Sequence, residues 1–302
     1  MATESSANTP SGEDPAPTAG SDDTTPAAEK KSRAGRNLPA AIGVGLTLGV
    51  SIILILLFAP KIWYGVVAVA FAVATWEVAK RLRDGGYQVA FWPLLIGGQA
   101  IIWSSWPWAQ TGVLTAFAGT VLVLMVWMLL AQGINRAPEN YLRNLAASVF
   151  VLAWLPLLAS FGAQMVVQDD GAARVATLMV VVVCSDVGGY AAGVLFGKHP
   201  MAPAISPKKS WEGLGGSFVV GTIGAIGCVV FLLDTHWWVG AILGVVLVIC
   251  ATLGDLVESQ VKRDLGIKDM GTLLPGHGGI MDRLDSLLPS AFIVWAVLTA
   301  LL

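Results

Sequence analysis

Long apolar stretches recur along the chain from about Leu38 to the C-terminus, and short polar segments separate them. Each stretch has about 17–25 residues, which is enough to cross the ~30 Å hydrocarbon core of a bilayer as a helix. The pattern therefore predicts an all-α fold, a polytopic membrane helix bundle with about nine transmembrane helices. The predicted spans are 39–59, 62–79, 88–105, 111–131, 144–163, 174–197, 213–233, 237–255 and 286–302.

Composition supports this prediction and narrows the class of protein. Of the 302 residues, 55% are hydrophobic and only 13% are charged, about half the charged share of a soluble protein. This excludes an ordinary soluble enzyme, a disordered protein and a nucleic-acid binder that works through overall basicity. Cys184, Cys228 and Cys250 lie in apolar runs without CxxC spacing, which favours buried small hydrophobes over a disulfide or zinc site.

The charges also predict how the chain is divided and oriented. Residues 1–37 are polar and poor in large apolar side chains, so we expect a disordered cytoplasmic tail. Residues 38–170 are predicted as N-terminal transmembrane helices, and residues 171–302 as C-terminal transmembrane helices that carry the functional site. Nine crossings with a cytoplasmic N-terminus place 16 of 18 Lys and Arg residues inside, leaving Lys61 and Arg174 outside.

This orientation puts the C-terminus outside and the longer, polar loops 198–212 and 256–285 on the cytoplasmic side. We therefore expect a multi-pass cell-membrane protein with its active site on the cytoplasmic face. The outer connections are short, which leaves little room for an extracellular binding domain.

Polar residues form a stripe at the end of the eighth predicted span. Asp255, Glu258, Ser259 and Lys262 are spaced i, i+3, i+4 and i+7, so they share one face of a helix. Asp255 falls within the last apolar turn, where an unpaired carboxylate is costly. A solvated helix end is the alternative interpretation, and the neighbouring charges at 263–264 partly fit it.

A glycine-rich segment and two further carboxylates follow the stripe. The segment Pro275-Gly-His277-Gly278-Gly279 leads into Asp282-Arg283-Leu-Asp285 and an apolar helix. A glycine-rich turn at a helix start suits phosphate binding, and carboxylates mixed with bases suit a Mg²⁺–polyphosphate site. The alternative is a flexible glycine loop in which Asp282 only caps a helix.

A second polar cluster lies around the sixth span and the loop after it. Asp186 interrupts an apolar helix, which makes it a candidate functional residue. The segment Ser206-Pro-Lys208-Lys209-Ser210-Trp-Glu212 combines clustered bases with hydroxyls and indicates an anion-binding pocket. Positive-inside anchoring is the alternative for the bases. Glu77, near the end of the second span, is interpreted as an interfacial residue.

These residues together carry a resemblance to a known family. The run Ser259-Gln-Val-Lys262-Arg263, then Lys268-Asp269, then residues 275–285 resembles the signature of the phosphatidate cytidylyltransferases, also called CDP-diacylglycerol synthases. All 27 positions from 259 to 285 fit it. Residues 253–259 and 205–213 also resemble the family, with Ser210 where Thr is expected. The resemblance implies transfer of CMP from CTP to phosphatidate, with release of pyrophosphate.

The resemblance also implies roles for individual residues. Asp255, Asp282 and Asp285 would bind Mg²⁺ and a possible second cation. The catalytic set would be Lys262, Arg263, Asp282, Arg283 and His277. Substrate binding would fall to Ser206, Lys208, Lys209, Ser210, Glu212, Ser259, Lys268, Gly278, Gly279 and Asp186.

We expect CTP and bilayer phosphatidate as partners, with the lipid entering sideways between helices, and we expect no nucleic acid. The chain could assemble as a homodimer. The residues alone are also compatible with two other functions. One is a CTP-dependent lipid kinase of the polyprenol type, and the other is an ion-coupled transporter with cation sites at Asp186 and Asp255.

Overall fold

Helices make up most of the described chain. The computed structural model describes residues 38–135, 137–273 and 278–302, with side chains at residue 47 and from residue 49 onward. The helices are α1 Leu38–Phe58, α2 Ile62–Asp84, α3 Phe91–Gln132, α4 Tyr141–Leu152, α5 Leu158–Met165, α6 Gly171–Phe196, α7 Trp211–Leu232, α8 Trp237–Asp264, α9 Met281–Leu284 and α10 Leu287–Leu301. A π-helical turn, Ala153–Leu157, joins α4 to α5. The predicted tail 1–37 and His277 lie outside the described residues.

The prediction of a helical fold with several apolar helices of membrane-spanning length is confirmed. In the described part of the chain, seven helical runs are long and apolar enough to cross a membrane. They are Ile62–Asp84, Phe91–Gln132, Tyr141–Met165, Gly171–Phe196, Trp211–Leu232, Trp237–Asp264 and Met281–Leu301.

The run α3 contains two of the predicted spans, 88–105 and 111–131, as two helices that meet at a kink. The kink lies at Ala109, whose φ of 45° and ψ of −133° are not helical, and Pro107, which lacks an N–H, stands just before it. The two helices fold back on each other, since a Cβ added to Gly97 would overlap the side chain of Thr120. Ala90 and Gln132, at the two ends of α3, line the same pocket. The chain therefore reverses at the position of the predicted connection, through a kink rather than a loop.

Small residues allow α6 and α7 to pack closely. A Cβ added to Gly188 of α6 would lie 2.6 Å from the carbonyl oxygen of Gly216 on α7, so only glycine fits there. Close backbone approach through small residues is a common way for membrane helices to associate. Helix α8 also packs against α7, where a Cβ on Gly244 would lie 2.6 Å from the Cα of Thr222. The three helices thus bring Asp186 and Asp255 towards each other.

A small β-hairpin connects α6 to α7. Its strands, β1 Pro200–Ala202 and β2 Ser206–Ser210, are antiparallel, with Pro200 opposite Ser210. The sequence indicated only a turn and a basic cluster in this segment. Ser210 ends β2 and begins α7, because its Oγ accepts the N–H of Gly213 at 3.1 Å as an N-cap. The hairpin holds Lys208 and Lys209 next to the end of α8.

Candidate active site

A cavity of about 310 Å³ that contains several charged side chains lies among α6, α7, α8, the hairpin and the start of α10. This volume is at the small end of the range for ligand sites. Its lining includes five residues predicted from the sequence: Asp186, Lys208, Lys209, Ser210 and Asp255. The other lining residues are Ser185, Gly189, Tyr190, Gly193, Met201, Gly213, Leu214, Ser217, Ala251, Thr252 and Ser286.

Charges of both signs meet inside this cavity. Lys209 Nζ lies 2.5 Å from Asp255 Oδ2, and Ser259 Oγ donates to Asp255 Oδ1 at 3.2 Å. Asp186, which is exposed to the cavity, interacts electrostatically with Asp255 and Asp285 and with the cations Lys209 and Arg283. A phosphate group in the cavity would therefore lie near the positive charges of Lys209 and Arg283. The nearby carboxylates of Asp186 and Asp255 could bind a cation together.

Lys262 links the stripe on α8 to the segment after the glycine-rich loop. Its Nζ lies 2.7 Å from Glu258 Oε2 and 2.6 Å from Asp282 Oδ1. The side chain of Glu258 is fully buried, and those of Lys262 and Asp282 are 13% and 7% exposed. One cation thus joins two carboxylates that come from different helices. Glu258 is part of the predicted stripe, but sequence reasoning did not assign it to the site.

Asp282 also accepts N–H groups at both ends of residues 270–279, the glycine-rich loop. Its Oδ1 accepts the N–H of Met270 at 3.0 Å, and its Oδ2 accepts the N–H of Gly279 at 2.7 Å. Gly278 has a φ of +86°, a left-handed conformation that favours glycine. Asp282 does not cap a helix, since the N-cap position of α9 is Ile280 and no side chain caps it. Its carboxylate instead holds the N–H groups of Met270 and Gly279 as well as pairing with Lys262.

Glu77 is a buried residue of this region that sequence reasoning placed at the membrane interface. It is 1% exposed, and its Oε2 accepts the N–H of Met281 at 2.9 Å. One helical turn later, Arg81 Nε donates to the carbonyl oxygen of Met270 at 2.9 Å. The sequence held one signal for Glu77, namely that this carboxylate stands several residues before the basic residues at the end of α2.

The carboxylates near Lys262 could supply oxygen ligands to a divalent cation. Glu258 is fully buried, and its side chain interacts directly with that of Asp285. Asp285 in turn interacts electrostatically with Asp255. Within the described residues, no three His, Cys, Asp or Glu side chains are grouped as a metal site. Mg²⁺ commonly takes only one or two protein carboxylates and completes its shell with phosphate oxygens and water.

Two predicted site residues contact the hairpin. Glu212 Oε1 lies 2.6 Å from His199 Nδ1, and Glu212 Oε2 accepts the N–H of Lys198 at 3.2 Å. Arg263 Nε donates to the carbonyl oxygen of Ile205 at 3.1 Å, near the hairpin tip. Both side chains thus fix the hairpin that carries the cavity lysines.

The remaining predicted residues lie apart from the cavity lining. Ser206 begins β2 and Lys268 is exposed in the segment after α8. Ser259 reaches the cavity only through its bond to Asp255.

Comparison with known proteins identifies the family. A sequence model described as the cytidylyltransferase family matches residues 40–301. A phosphatidate cytidylyltransferase of Mycobacterium bovis is 55% identical over 282 residues, covering 91% of this chain and 92% of the relative. The Mycobacterium leprae protein of the same name is 55% identical over 280 residues, covering 89% and 90%. One from Staphylococcus haemolyticus is 42% identical over 120 residues, covering 39% and 46%. The chain belongs to the cytidylyltransferase family.

Proposed function

We propose that this membrane protein transfers CMP from CTP to phosphatidate, giving CDP-diacylglycerol and pyrophosphate for phospholipid synthesis. The observation that carries this proposal is the cavity, whose lining brings Lys208 and Lys209 of the hairpin together with Asp186 of α6 and Asp255 of α8. Such a site can hold phosphate groups while it remains open to a lipid. The family membership of residues 40–301 supports the same reaction.

The reaction joins two anions, so its main requirement is positioning against charge repulsion. A phosphate oxygen of phosphatidate attacks the α-phosphorus of CTP. The bond from that phosphorus to the bridging oxygen of the β-phosphate breaks, and its electron pair leaves with pyrophosphate. Lys209, Lys262 and Arg283 would stabilise the phosphate charges. A general base is unnecessary because the attacking phosphate is already ionised.

We propose Mg²⁺ as the cofactor, and a second cation could bind beside it. Asp255, Asp282 and Asp285 would hold Mg²⁺, and the direct interaction between the carboxyl groups of buried Glu258 and Asp285 supports a cation requirement at this place. When bound, the ion would stabilise the charge of the leaving pyrophosphate. The side chains of Lys209 and Lys262 orient these carboxylates through their ion pairs.

Phosphatidate would reach the cavity sideways from the bilayer. Tyr190 lines the cavity and is 76% exposed, and its neighbours Val187 and Val194 on α6 are also exposed. An apolar face of this kind suits acyl chains, while the headgroup would meet the cavity lysines. The lateral opening is thus proposed beside α6.

For the topology we propose nine crossings, with the N-terminus and the active site cytoplasmic and the C-terminus outside. The kink at Ala109 supports counting α3 as two crossings, and α1, with 21 residues, adds one more. The charge distribution supports the orientation. A homodimer is the assembly we would test.

The proposed reaction is tested with purified protein, phosphatidate, Mg²⁺ and CTP labelled at either the α- or the γ-phosphate. Label from the α position alone should enter the lipid, and Asp255→Asn or Asp282→Asn should abolish the transfer. Asp264→Asn is the matched control, because Asp264 is an exposed carboxylate at the end of the same helix as Asp255.

Other outcomes would point to the alternative functions. Transfer of the γ-label would indicate a CTP-dependent lipid kinase and contradict the proposal. Cation flux into liposomes without CTP, together with no α-label transfer, would indicate a transporter.

A further inference from the structure

We propose that Glu77 is a positioning residue for this reaction, acting through the segment that carries Asp282 and Asp285. This inference rests on the proposed cytidylyl transfer, but it concerns a helix far from the signature in sequence. Glu77 belongs to α2, and the backbone that it contacts lies 204 residues later.

The first support is the burial of a carboxylate with a specific backbone partner. Glu77 is 1% exposed within an apolar bundle, where an ionisable side chain is costly and is retained for a reason. Its Oε2 accepts the N–H of Met281 at 2.9 Å. Hydrogen bonds to an ionised acceptor are stronger than neutral ones. Met281 begins α9 and directly precedes Asp282, so this bond fixes where the carboxylate segment starts.

The second support is the fit of two glycines around the Glu77 carboxylate. A Cβ added to Gly271 would lie 2.1 Å from Glu77 Oε1, and one added to Gly279 would lie 2.6 Å from Oε2. These distances are far below van der Waals contact, so any side chain at either position would displace the carboxylate. The glycines therefore bring the two ends of the loop onto Glu77.

The third support is that a second carboxylate holds the same backbone. Asp282 accepts the N–H groups of Met270 and Gly279, next to the residues that pack against Glu77. Arg81, one turn after Glu77 on α2, donates to the carbonyl oxygen of Met270 at 2.9 Å. Helix α2 thus fixes both ends of the loop, and the loop ends in turn fix Asp282 for its contact with Lys262.

The experiment compares Glu77→Ala and Glu77→Gln with the wild type in phosphatidate-containing nanodiscs. We expect Glu77→Ala to lower kcat at least about tenfold, which corresponds to loss of one hydrogen bond to a charged group. The KM for phosphatidate should stay unchanged, because Glu77 lies outside the cavity lining. Glu77→Gln keeps an acceptor for Met281 and should retain more activity than Glu77→Ala.

Hydrogen–deuterium exchange separates positioning from general stability. In Glu77→Ala, the amides of Gly279 and Met281 should exchange about tenfold faster or more, while those of α8 keep their wild-type rates. Asp264→Asn, an exposed carboxylate at the end of α8, should change neither kcat nor exchange.

Each outcome decides the inference. Wild-type kcat and exchange in Glu77→Ala would overturn it, and so would faster exchange spread evenly over α8. If Glu77→Ala fails to fold, Gly271→Ala decides, because its added Cβ would displace the Glu77 carboxylate, and a wild-type kcat with wild-type loop exchange in Gly271→Ala overturns the proposal. If the wild type transfers no α-label, the proposed reaction fails, whereas the exchange experiment still tests the contact between Glu77 and Met281.

Discussion

At the scale of single residues, Lys262 is the cation that compensates two carboxylates. Its Nζ contacts Glu258 and Asp282 at 2.7 and 2.6 Å, and Glu258 is fully buried. Removing one partner of a buried ion pair leaves an uncompensated charge and typically costs about 3–5 kcal/mol. We expect Lys262→Met to lower the free energy of unfolding by about 3 kcal/mol and to abolish activity. Thermal unfolding in detergent and the α-label assay measure the two effects.

A second substitution and a control sharpen this test. Glu258→Gln added to Lys262→Met removes the buried charge, so part of the lost stability should return while activity stays absent. Lys198→Met is the control for stability, because its side chain is exposed. Wild-type thermal stability in Lys262→Met would contradict the assigned role of the lysine.

The contrast between Lys262 and Glu77 shows which site residues can be predicted from sequence. Lys262 and Glu258 are four positions apart on one helix, so helical periodicity alone places them together. Glu77 and Met281 are 204 positions apart, and helical periodicity does not indicate that α2 reaches the glycine-rich loop. The signature motif can be recognised in one short stretch of sequence. The contact from α2 that supports it is visible only in the tertiary structure.

At the scale of secondary-structure elements, the contact between α6 and α7 depends on glycine. A Cβ on Gly188 would lie 2.6 Å from the carbonyl oxygen of Gly216, and one on Gly216 would lie 2.4 Å from that of Gly188. We expect Gly188→Ala to lower the free energy of unfolding by about 1–3 kcal/mol, because overpacking forces the helices apart. The melting temperature and the activity should fall together, since both helices line the cavity.

Gly215 provides the matched control on α7. A Cβ at this position meets nothing within 4 Å, and alanine is the better helix former by about 1 kcal/mol. Gly215→Ala should therefore leave the melting temperature unchanged or raise it. An equal loss of stability in Gly215→Ala and Gly188→Ala would show that the close helix contact is not the cause.

The hairpin shows why some elements could not be predicted. Its strands have three and five residues, too short for an apolar–polar alternation to be recognised. Contacts from outside the hairpin help to hold it, namely Glu212 at its base and Arg263 near its tip. The basic cluster could be read from sequence, but its orientation over the cavity depends on these contacts.

At the scale of the whole molecule, the apolar pattern predicted most helices, because a membrane span must satisfy its own backbone hydrogen bonds. The two spans predicted within α3 are present as two helices that fold back on each other at Ala109. The N–H of Gln88 donates to Asn144 Oδ1 at 3.1 Å, so the segments before and after α3 lie together. This arrangement favours two crossings, and the number of crossings can be tested by where those two segments lie. One crossing puts residues 84 and 139 on opposite sides, whereas two crossings put both inside.

Single cysteines at three exposed acidic positions decide this topology. In an active protein with Cys184, Cys228 and Cys250 replaced by alanine, we would introduce Asp84→Cys, Glu139→Cys and Asp169→Cys separately. With nine crossings and a cytoplasmic N-terminus, a membrane-impermeant maleimide added to intact cells should label only the cysteine at position 169. All three should react after permeabilisation, which controls for accessibility. Labelling of just one of positions 84 and 139 in intact cells would show that α3 crosses once, and the nine-crossing proposal would be wrong.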